Sequence, residues 1–494
     1  MPHYTRRSFL KAAALTATSA ALWPALTGCR TARPVPPQRV RGANDTLGIA
    51  VCGFNSRGGG LLDQVLELQQ AGEKVRVVAL CDVDEKVLAD GVKKLQGKGQ
   101  AVTGYRDLRR LLEDPAVDAV IVATPNHWHA LATLWAVQAG KDVYVEKPIS
   151  HNVWEGRKVV EATQKYGRIV QPGTQSRSSY AIAEAVAWVR AGNLGALRIA
   201  RGLCYKRRPS IGKVDGPQPI PPSIDYDLWC GPAPKTPLMR KKLHYDWHWV
   251  WPTGNGDLGN QGIHQMDIAR WFLGEPALSP RVLSLGGRFG YVDDGTTPNT
   301  QIIFHDYAQA PLIFEVRGLP QKAGGEAMDK FLGGGIGVVI QCAGGHVLVP
   351  NYTSAIAYDT AGREIRKFSG AHNHMANFLQ AVRSGKPAEQ NAHILDGHLS
   401  SALCHTGNIS YRLGRQQKPA AIREAMRAQP DGEATFQRML EHLQLNEVDF
   451  ALNEVTLGPV LAMDPKRETF PGNAAANQLL TREYRAPFVV PERV

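Results

Sequence analysis

From Thr46 onward the chain alternates stretches that are apolar on every position with stretches that are apolar on one stripe only. LGIAVCGF (47–54) reads as a buried strand, GLLDQVLELQQ (60–70) as a helix and KVRVVALCDVD (74–84) as a second strand. VDAVIVATP (117–125) is again a strand, ALATLWAVQAG (130–140) a helix closed by glycine, and KDVYVEKP (141–148) a strand. VWEGRKVVEATQKYG (153–167) and RIVQPG (168–173) complete the series as helix and strand. Strands with no polar face must be covered on both sides, and strands alternating with helices run parallel. The pattern predicts an α/β domain with a doubly wound parallel sheet over residues 46–172.

After Gly173 the pattern changes. A helix, AIAEAVAWVRAG (181–192), leads into ALRIARGLCY (196–205) and then a proline-rich loop, 209–237. The runs RVLSLGGRFG (281–290), TQIIFHDY (300–307), APLIFEVRG (310–318), GIGVVIQCAGG (335–345) and HVLVPN (346–351) follow, joined by connections too short for crossover helices. They predict an α+β domain, residues 173–416, with an open, mostly antiparallel sheet covered by helices on one face. AHNHMANFLQAVRSG (371–385) and DGHLSSALCHTGNISYRLG (396–414) return as helices. The extension 417–494 holds one amphipathic piece, FQRMLEHLQL (436–445), and no chemistry that its residues identify.

The first 45 residues are of another kind. TRRSFLK (5–11), the Ala/Leu-rich stretch 12–26 and the small residues before Cys29 have the layout of a twin-arginine signal peptide, residues 1–29, the address of a machinery that exports folded proteins. Leu26-Thr27-Gly28-Cys29 resembles a lipobox, so a lipid anchor on Cys29 and a periplasmic or cell-envelope location are expected. Residues 30–45, with three prolines and no acidic residue before Asp45, read as a tether. Seven Lys/Arg and one Asp in residues 1–45 account for half of the net charge of +12, and the remainder is spread over a long body without a basic, aromatic-interleaved run. Nucleic acid is therefore not an expected partner. The seven cysteines show no CxxC pair, and Cys52 and Cys81, within apolar strands, read as small buried residues.

The chemistry sits at strand ends. Gly53-Phe-Asn-Ser-Arg-Gly58 lies between the first strand and the first helix, where glycines let a backbone approach a pyrophosphate and the helix N-terminus offers free N–H groups. Asn55 occupies the middle glycine's place, and Asn tolerates positive φ better than other side chains. The next strand ends at Asp82, placed to accept both hydroxyls of an adenine ribose and to repel a 2′-phosphate, which favours NAD over NADP. Gly53, Asn55, Ser56, Arg57, Gly58 and Asp82 are thus the expected cofactor contacts, joined by Thr124, Pro125, Asn126 and His129 of the TPNHWH turn and by Glu146 and Lys147 of the EKP turn. His127 and His129 lack a third partner for a metal ion, and no metal is expected. Lys147, at the carboxyl edge of the sheet, can stabilise a developing alkoxide.

These stretches together resemble the Gfo/Idh/MocA oxidoreductase family, on the Gly53 turn, TPN with His129, AGKDVYVEKP and G254-N-G-D-L-G-N-Q-G-I-H264-Q-M-D267. The similarity runs from about Leu47 to about Gly414. It implies a Rossmann domain paired with an open-sheet domain, hydride transfer between NAD and a sugar or cyclitol, and association of copies through the open sheet face. It places the family's lysine at Lys147 and the histidine of its D-x-x-x-H motif at His264, both facing the nicotinamide, while the motif's aspartate falls at Asn260. The residues around His264 read independently as a glycine-rich loop delivering a histidine of near-neutral pKa into a cleft. Gln175, Trp249, Asp267 and His374 are expected substrate contacts, and part of the aromatic run 244–251 is expected to line a saccharide site.

An enzyme exported folded would carry its dinucleotide with it, so NAD is expected to be tightly bound and restored in every turnover. Oxidation of a sugar, cyclitol or glycoside hydroxyl with a second carbonyl compound closing the cycle satisfies this. So does a glycoside hydrolase working by transient oxidation, elimination, hydration and re-reduction. A non-catalytic saccharide-binding lipoprotein is the alternative from another class.

Overall fold

The computed structural model describes residues 45–494. The twin-arginine stretch, Cys29 and the tether up to Asn44 lie outside the described residues. The first domain is a parallel sheet of β1 (Leu47–Cys52), β2 (Val75–Cys81), β3 (Thr103–Tyr105), β4 (Ala119–Val122), β5 (Asp142–Val145) and β6 (Val170–Pro172), in the order β3-β2-β1-β4-β5-β6. Helices α1 (Arg57–Gln70), α2 (Glu85–Gln96), α3 (Leu108–Leu112), α4 (Asn126–Gln138) and α5 (Val153–Tyr166) connect them. The strand order reverses between β1 and β4, and the crevice outside the carboxyl ends of those strands is where a doubly wound sheet takes a ligand. Every residue of β1, β4 and β5 is buried, as the absence of a polar face in their sequences requires.

The second domain begins with α6 (Tyr180–Arg190), β7 (Leu197–Tyr205), α7 (Tyr226–Cys230), α8 (Gly256–Asn260) and α9 (Gly262–Leu273). There follow β8 (Arg281–Gly287), β9 (Thr300–His305), β10 (Leu312–Arg317), β11 (Ile336–Cys342), β12 (Gly345–Val349), β13 (Ser354–Asp359) and β14 (Glu364–Ser369). Next are α10 (His374–Ser384), α11 (Ile394–Arg412), β15 (Arg415–Gln417), α12 (Pro419–Arg427), α13 (Gly432–Leu445), β16 (Val455–Leu457), β17 (Leu461–Ala462) and α14 (Ala474–Gln478). The sheet runs β14-β13-β12-β11-β7-β10-β9-β8-β16-β15, with β17 also on β8. Among the described strands its pairings are antiparallel except β10 with β7. Side-chain alternation along β7 and β10 divides the two faces: Ala200, Cys204, Phe314 and Val316 join the core against α6, α9 and α11, whereas Arg201 and Glu315 point the other way.

Two features of the fold go beyond the sequence reading. The extension is part of the fold: β16 and β17 lengthen the sheet, and Phe488 and Val490 pack into the first domain's core. The second is the sheet face expected to be open for association. Over β8–β10 it is covered by α12 and α13, whose Ile422, Met426, Phe436, Met439 and Leu440 pack on Leu283, Leu285, Ile302, Phe304 and Ile313. The chain also returns to the first domain through α10, whose Met375, Phe378 and Leu379 join its core. The six described cysteines form no disulfide, and Cys52 and Cys81 are buried as expected.

Candidate active site

A cleft of about 430 Å³ opens at the carboxyl ends of β1, β2, β4 and β5. Its floor is the turn after β1. Gly53 has φ +77, and a Cβ there would lie 2.8 Å from the Thr124 backbone, while a Cβ on Gly58 would lie 1.9 Å from the Gly53 carbonyl oxygen. Only glycine allows the turn and α1 to sit this close to the next strand. Ser56 precedes α1 without a side-chain cap and the first turn holds no acidic residue, so the N–H groups at this end are open to an anion. At the end of β2, Asp82 is fixed as an acceptor by backbone N–H groups, Phe54 at 3.2 Å and Asp84 at 3.1 Å. Burial raises its pKa, opposed by these two bonds.

The other wall is built around the EKP turn. Glu146 is buried and pairs with Arg57, Nε to Oε1 2.8 Å. Burial would raise its pKa, but the charges of Arg57 and Lys147 bring it below the ordinary carboxylate value. Lys147 precedes a cis peptide to Pro148, and its Nζ donates to the carbonyl oxygen of Asn260 at 2.9 Å. Burial lowers the lysine's pKa, with Glu146 acting in the opposite sense. His129 ties two turns together, its ring nitrogens lying 2.6 Å from the Pro148 oxygen and 2.7 Å from the Thr124 oxygen. Thr124 Oγ1, on the cleft wall, is buried without a partner. An uncapped helix end, a glycine cradle, a carboxylate at β2 and an orphaned hydroxyl fit a dinucleotide.

Residues 47–174 match the family described as "Oxidoreductase family, NAD-binding Rossmann fold", and residues 200–442 match its "C-terminal alpha/beta domain". The chain belongs to the Gfo/Idh/MocA oxidoreductase family. It is 25% identical to the myo-inositol 2-dehydrogenase of Thermotoga maritima over 197 residues, 40% of this chain and 47% of that one. It is 29% identical to "Glycosyl hydrolase family 109 protein 2" of a Shewanella species (strain ANA-3) over 180 residues, 33% of this chain and 39% of the relative. These alignments span less than half the length of either relative. A solved levoglucosan dehydrogenase, in complex with NADH and levoglucosan, shares the fold over 72% of this chain and 95% of its own, with a TM-score of 0.54 at 18% identity.

In this Gfo/Idh/MocA chain the expected cofactor residues converge. Gly53, Asn55, Ser56, Arg57, Asp82, Thr124, Pro125, Asn126, His129, Glu146 and Lys147 line the cleft, as does Asn260; Gly58 packs beneath Gly53. His264 is different in two respects. It lies not in a loop but in the first turn of α9, directly after the short helix α8, because Gly256 and Gly262 open helices here rather than a coil. Its pKa is not near neutral: burial first, then the charges of Lys147, Arg57 and Lys206, hold it well below the ordinary histidine value. It is buried, with Nδ1 unpartnered, one helical turn beyond Asn260.

His264 and the four expected substrate contacts are not among the residues that line the cleft. Asp267 is held by Arg177, two bonds of 2.8 Å, and by Ser400 Oγ at 2.7 Å. His374 accepts or donates to Ser178 Oγ at 2.6 Å and lies 3.0 Å from the Pro172 oxygen. Gln175 opens a short 3₁₀ turn with Oε1 buried and unpartnered. Trp249 is buried under the Arg208 guanidinium, 5.0 Å from its ring centroid. The aromatic run does contribute, through its neighbours Tyr245, Trp247 and His248. His244 anchors this run to the first domain, Nε2 lying 3.2 Å from Asp84 Oδ2. The proline-rich loop brings a further wall, Leu228 and Trp229, which sequence reading missed. Its only sequence signal was the TrpCys pair in an otherwise proline-rich stretch. His127, beside His129, points away to the carbonyls of Trp229 and Thr253, and among the described residues no group of three or more His, Cys, Asp or Glu could hold a metal ion.

Proposed function

We propose that this protein is an NAD-dependent oxidoreductase acting on a hydroxyl of a sugar, cyclitol or glycoside. The observation that carries the reading is the half-buried Lys147, its ammonium fixed at 2.9 Å on the carbonyl of Asn260, which stands one helical turn before a buried, neutral His264. NAD, when bound, supplies the hydride acceptor. Oxidising an alcohol to a carbonyl requires the hydroxyl proton to leave as the hydride leaves carbon. His264, kept neutral by burial, accepts that proton, and Lys147 hydrogen-bonds the oxygen as negative charge develops on it. Asn260 serves through its backbone: its carbonyl positions Lys147, whereas a carboxylate side chain at this place would raise the histidine's pKa. Tyr245 and Trp247 offer flat apolar surface to a ring. The myo-inositol and levoglucosan dehydrogenases that resemble the chain support a polyhydroxylated substrate.

The likeness to a glycosyl hydrolase family 109 protein favours a second reading, in which the same oxidation is transient and the glycoside is cleaved with no net redox change. In both, the Arg6-Arg7 signal supports export in the folded state with NAD retained, to a periplasmic or envelope location, with Cys29 as lipid anchor. The test is to purify the full chain, denature it and identify the released nucleotide. The intact protein is then incubated with myo-inositol, levoglucosan and nitrophenyl glycosides. Accumulation of reduced nicotinamide and an oxidised product is the expected result, and nitrophenol release without a redox change identifies the hydrolase. A protein that neither carries NAD nor takes it up refutes the proposal.

A further inference from the structure

A second cavity, of about 300 Å³, lies between α11, the loop 251–255 and the segment after α14. Its character is unlike that of the first. Arg412, Arg482, His151 and His405 line it, and no carboxylate does. Arg482 enters from the extension. Its Nη2 donates to the Pro252 oxygen at 2.5 Å, but Nε and Nη1 are buried without a partner. His405, 3% exposed, likewise has Nδ1 without a partner. Arg412 stands at the rim with its guanidinium 5.3 Å from the Trp251 ring centroid, and among the described residues neither arginine is in an ion pair. Glu155 is the carboxylate whose charge acts on Arg482. Its oxygens are already engaged by His151 N, Asn152 Nδ2 and Tyr484 Oη.

Two guanidinium groups that share a cavity with no carboxylate between them repel each other, and an anion placed between them offsets that repulsion. A fork of parallel N–H groups matches two oxygens of a carboxylate or phosphate. We propose that this cavity is a binding site for a small oxyanion, a carboxylate or phosphate group, held between the guanidinium groups of Arg482 and Arg412 that share its lining. The wall it shares with the first cleft is short. Asn255 donates to the His151 oxygen at 3.0 Å and accepts from Asn126 of the cofactor cleft at 2.9 Å, so an anion here braces the turn that backs the dinucleotide site without entering it.

The test uses NAD-saturated full-length protein, so that the α1 N-terminus is already occupied, and calorimetric titration with inorganic phosphate and, separately, glucuronate. One saturable site is expected for at least one of them. Phosphate binding points to a free anion, and glucuronate binding ten-fold tighter points to an acidic sugar. Arg482→Gln and Arg412→Gln are each expected to weaken binding at least ten-fold while NAD content is unchanged. The Arg412 side chain makes no hydrogen bond among the described residues, so its variant carries the test if Arg482→Gln does not fold. Absence of saturable binding by either anion, or undiminished affinity in Arg412→Gln, overturns the proposal.

Discussion

Lys147 and His264 are both pushed toward their neutral forms by burial, yet their proposed roles need one charged and one neutral. His264 is well below its ordinary value of 6.5, so it stays an unprotonated acceptor as the pH falls through 6.5. Lys147 is lowered from 10.5, so the alkaline limit of its charged form comes down as well. A pH profile of kcat/KM is expected to be flat through neutrality, with an acid limb below pH 6.5 and an alkaline limb below 10.5. Lys147→Arg should move the alkaline limb out of range, since guanidinium keeps its proton. Lys147→Ala should lower turnover by about 10²- to 10⁴-fold with NAD content retained. An acid limb at or above pH 6.5 would deny His264 its role. Sequence alone places Lys147 on the cleft, because position at a strand's carboxyl end is set by topology. It does not reveal that Asp267 and His374 lie off the cleft, because their partners Arg177, Ser400 and Ser178 come from other elements.

At the level of elements, the β1 turn and α1 were legible because each local requirement has a residue type that meets it: apolar β1, glycine at +77°, an uncapped helix start. The turn is also where a single methyl decides function. Gly58→Ala places Cβ 1.9 Å from the Gly53 oxygen, and relief requires α1 to move off the turn that presents its N–H groups. NAD content of the purified variant is expected to fall at least ten-fold while the fold, read by circular dichroism, persists. Gly60→Ala is the control, since nothing lies within 4 Å of that Cβ. The opposite wall was less legible. The proline-rich loop is held to the first domain by Glu85 N to the Ser223 oxygen, Asp225 N to the Val83 oxygen and the His244–Asp84 contact, and such long-range backbone pairings leave no periodicity in sequence. His244→Ala removes the side-chain contact in this set and is expected to speed NAD release several-fold, measured by exchange into labelled NAD.

For the molecule as a whole, the extension was the least legible part, because its meaning lies in what it covers. Glu315, buried on the far face of the sheet, takes hydrogen bonds from Arg201 at 2.6 Å, Arg438 of α13 at 3.0 Å and Tyr205 at 2.7 Å. Burial would raise its pKa, but the three arginines 201, 438 and 317 hold it at about 2. Glu315→Gln leaves the fully buried Arg201 with Asp431 as its remaining carboxylate, shared with Arg438, and is expected to cost about 3 kcal/mol in urea unfolding, the lower end of the cost of breaking a buried pair. Acid acts on a different set. Burial lowers His127, His305 and His405 to about 3 and His374 to about 4. Below pH 6.5 the unfolded chain takes protons on these rings that the folded chain refuses, so stability falls as pH falls from 6.5 toward 4. Each ring contributes about 1.4 kcal/mol per pH unit across that window. The carboxylates held low, Glu315 and Glu468, both at about 2, lose their contribution only further down, once the pH drops below the ordinary value of 4.5. Urea unfolding at pH 7, 6 and 5 therefore isolates the histidines: several kcal/mol should be lost between pH 6.5 and 5, and a flat profile over that range would mean that these rings are not held neutral by the fold.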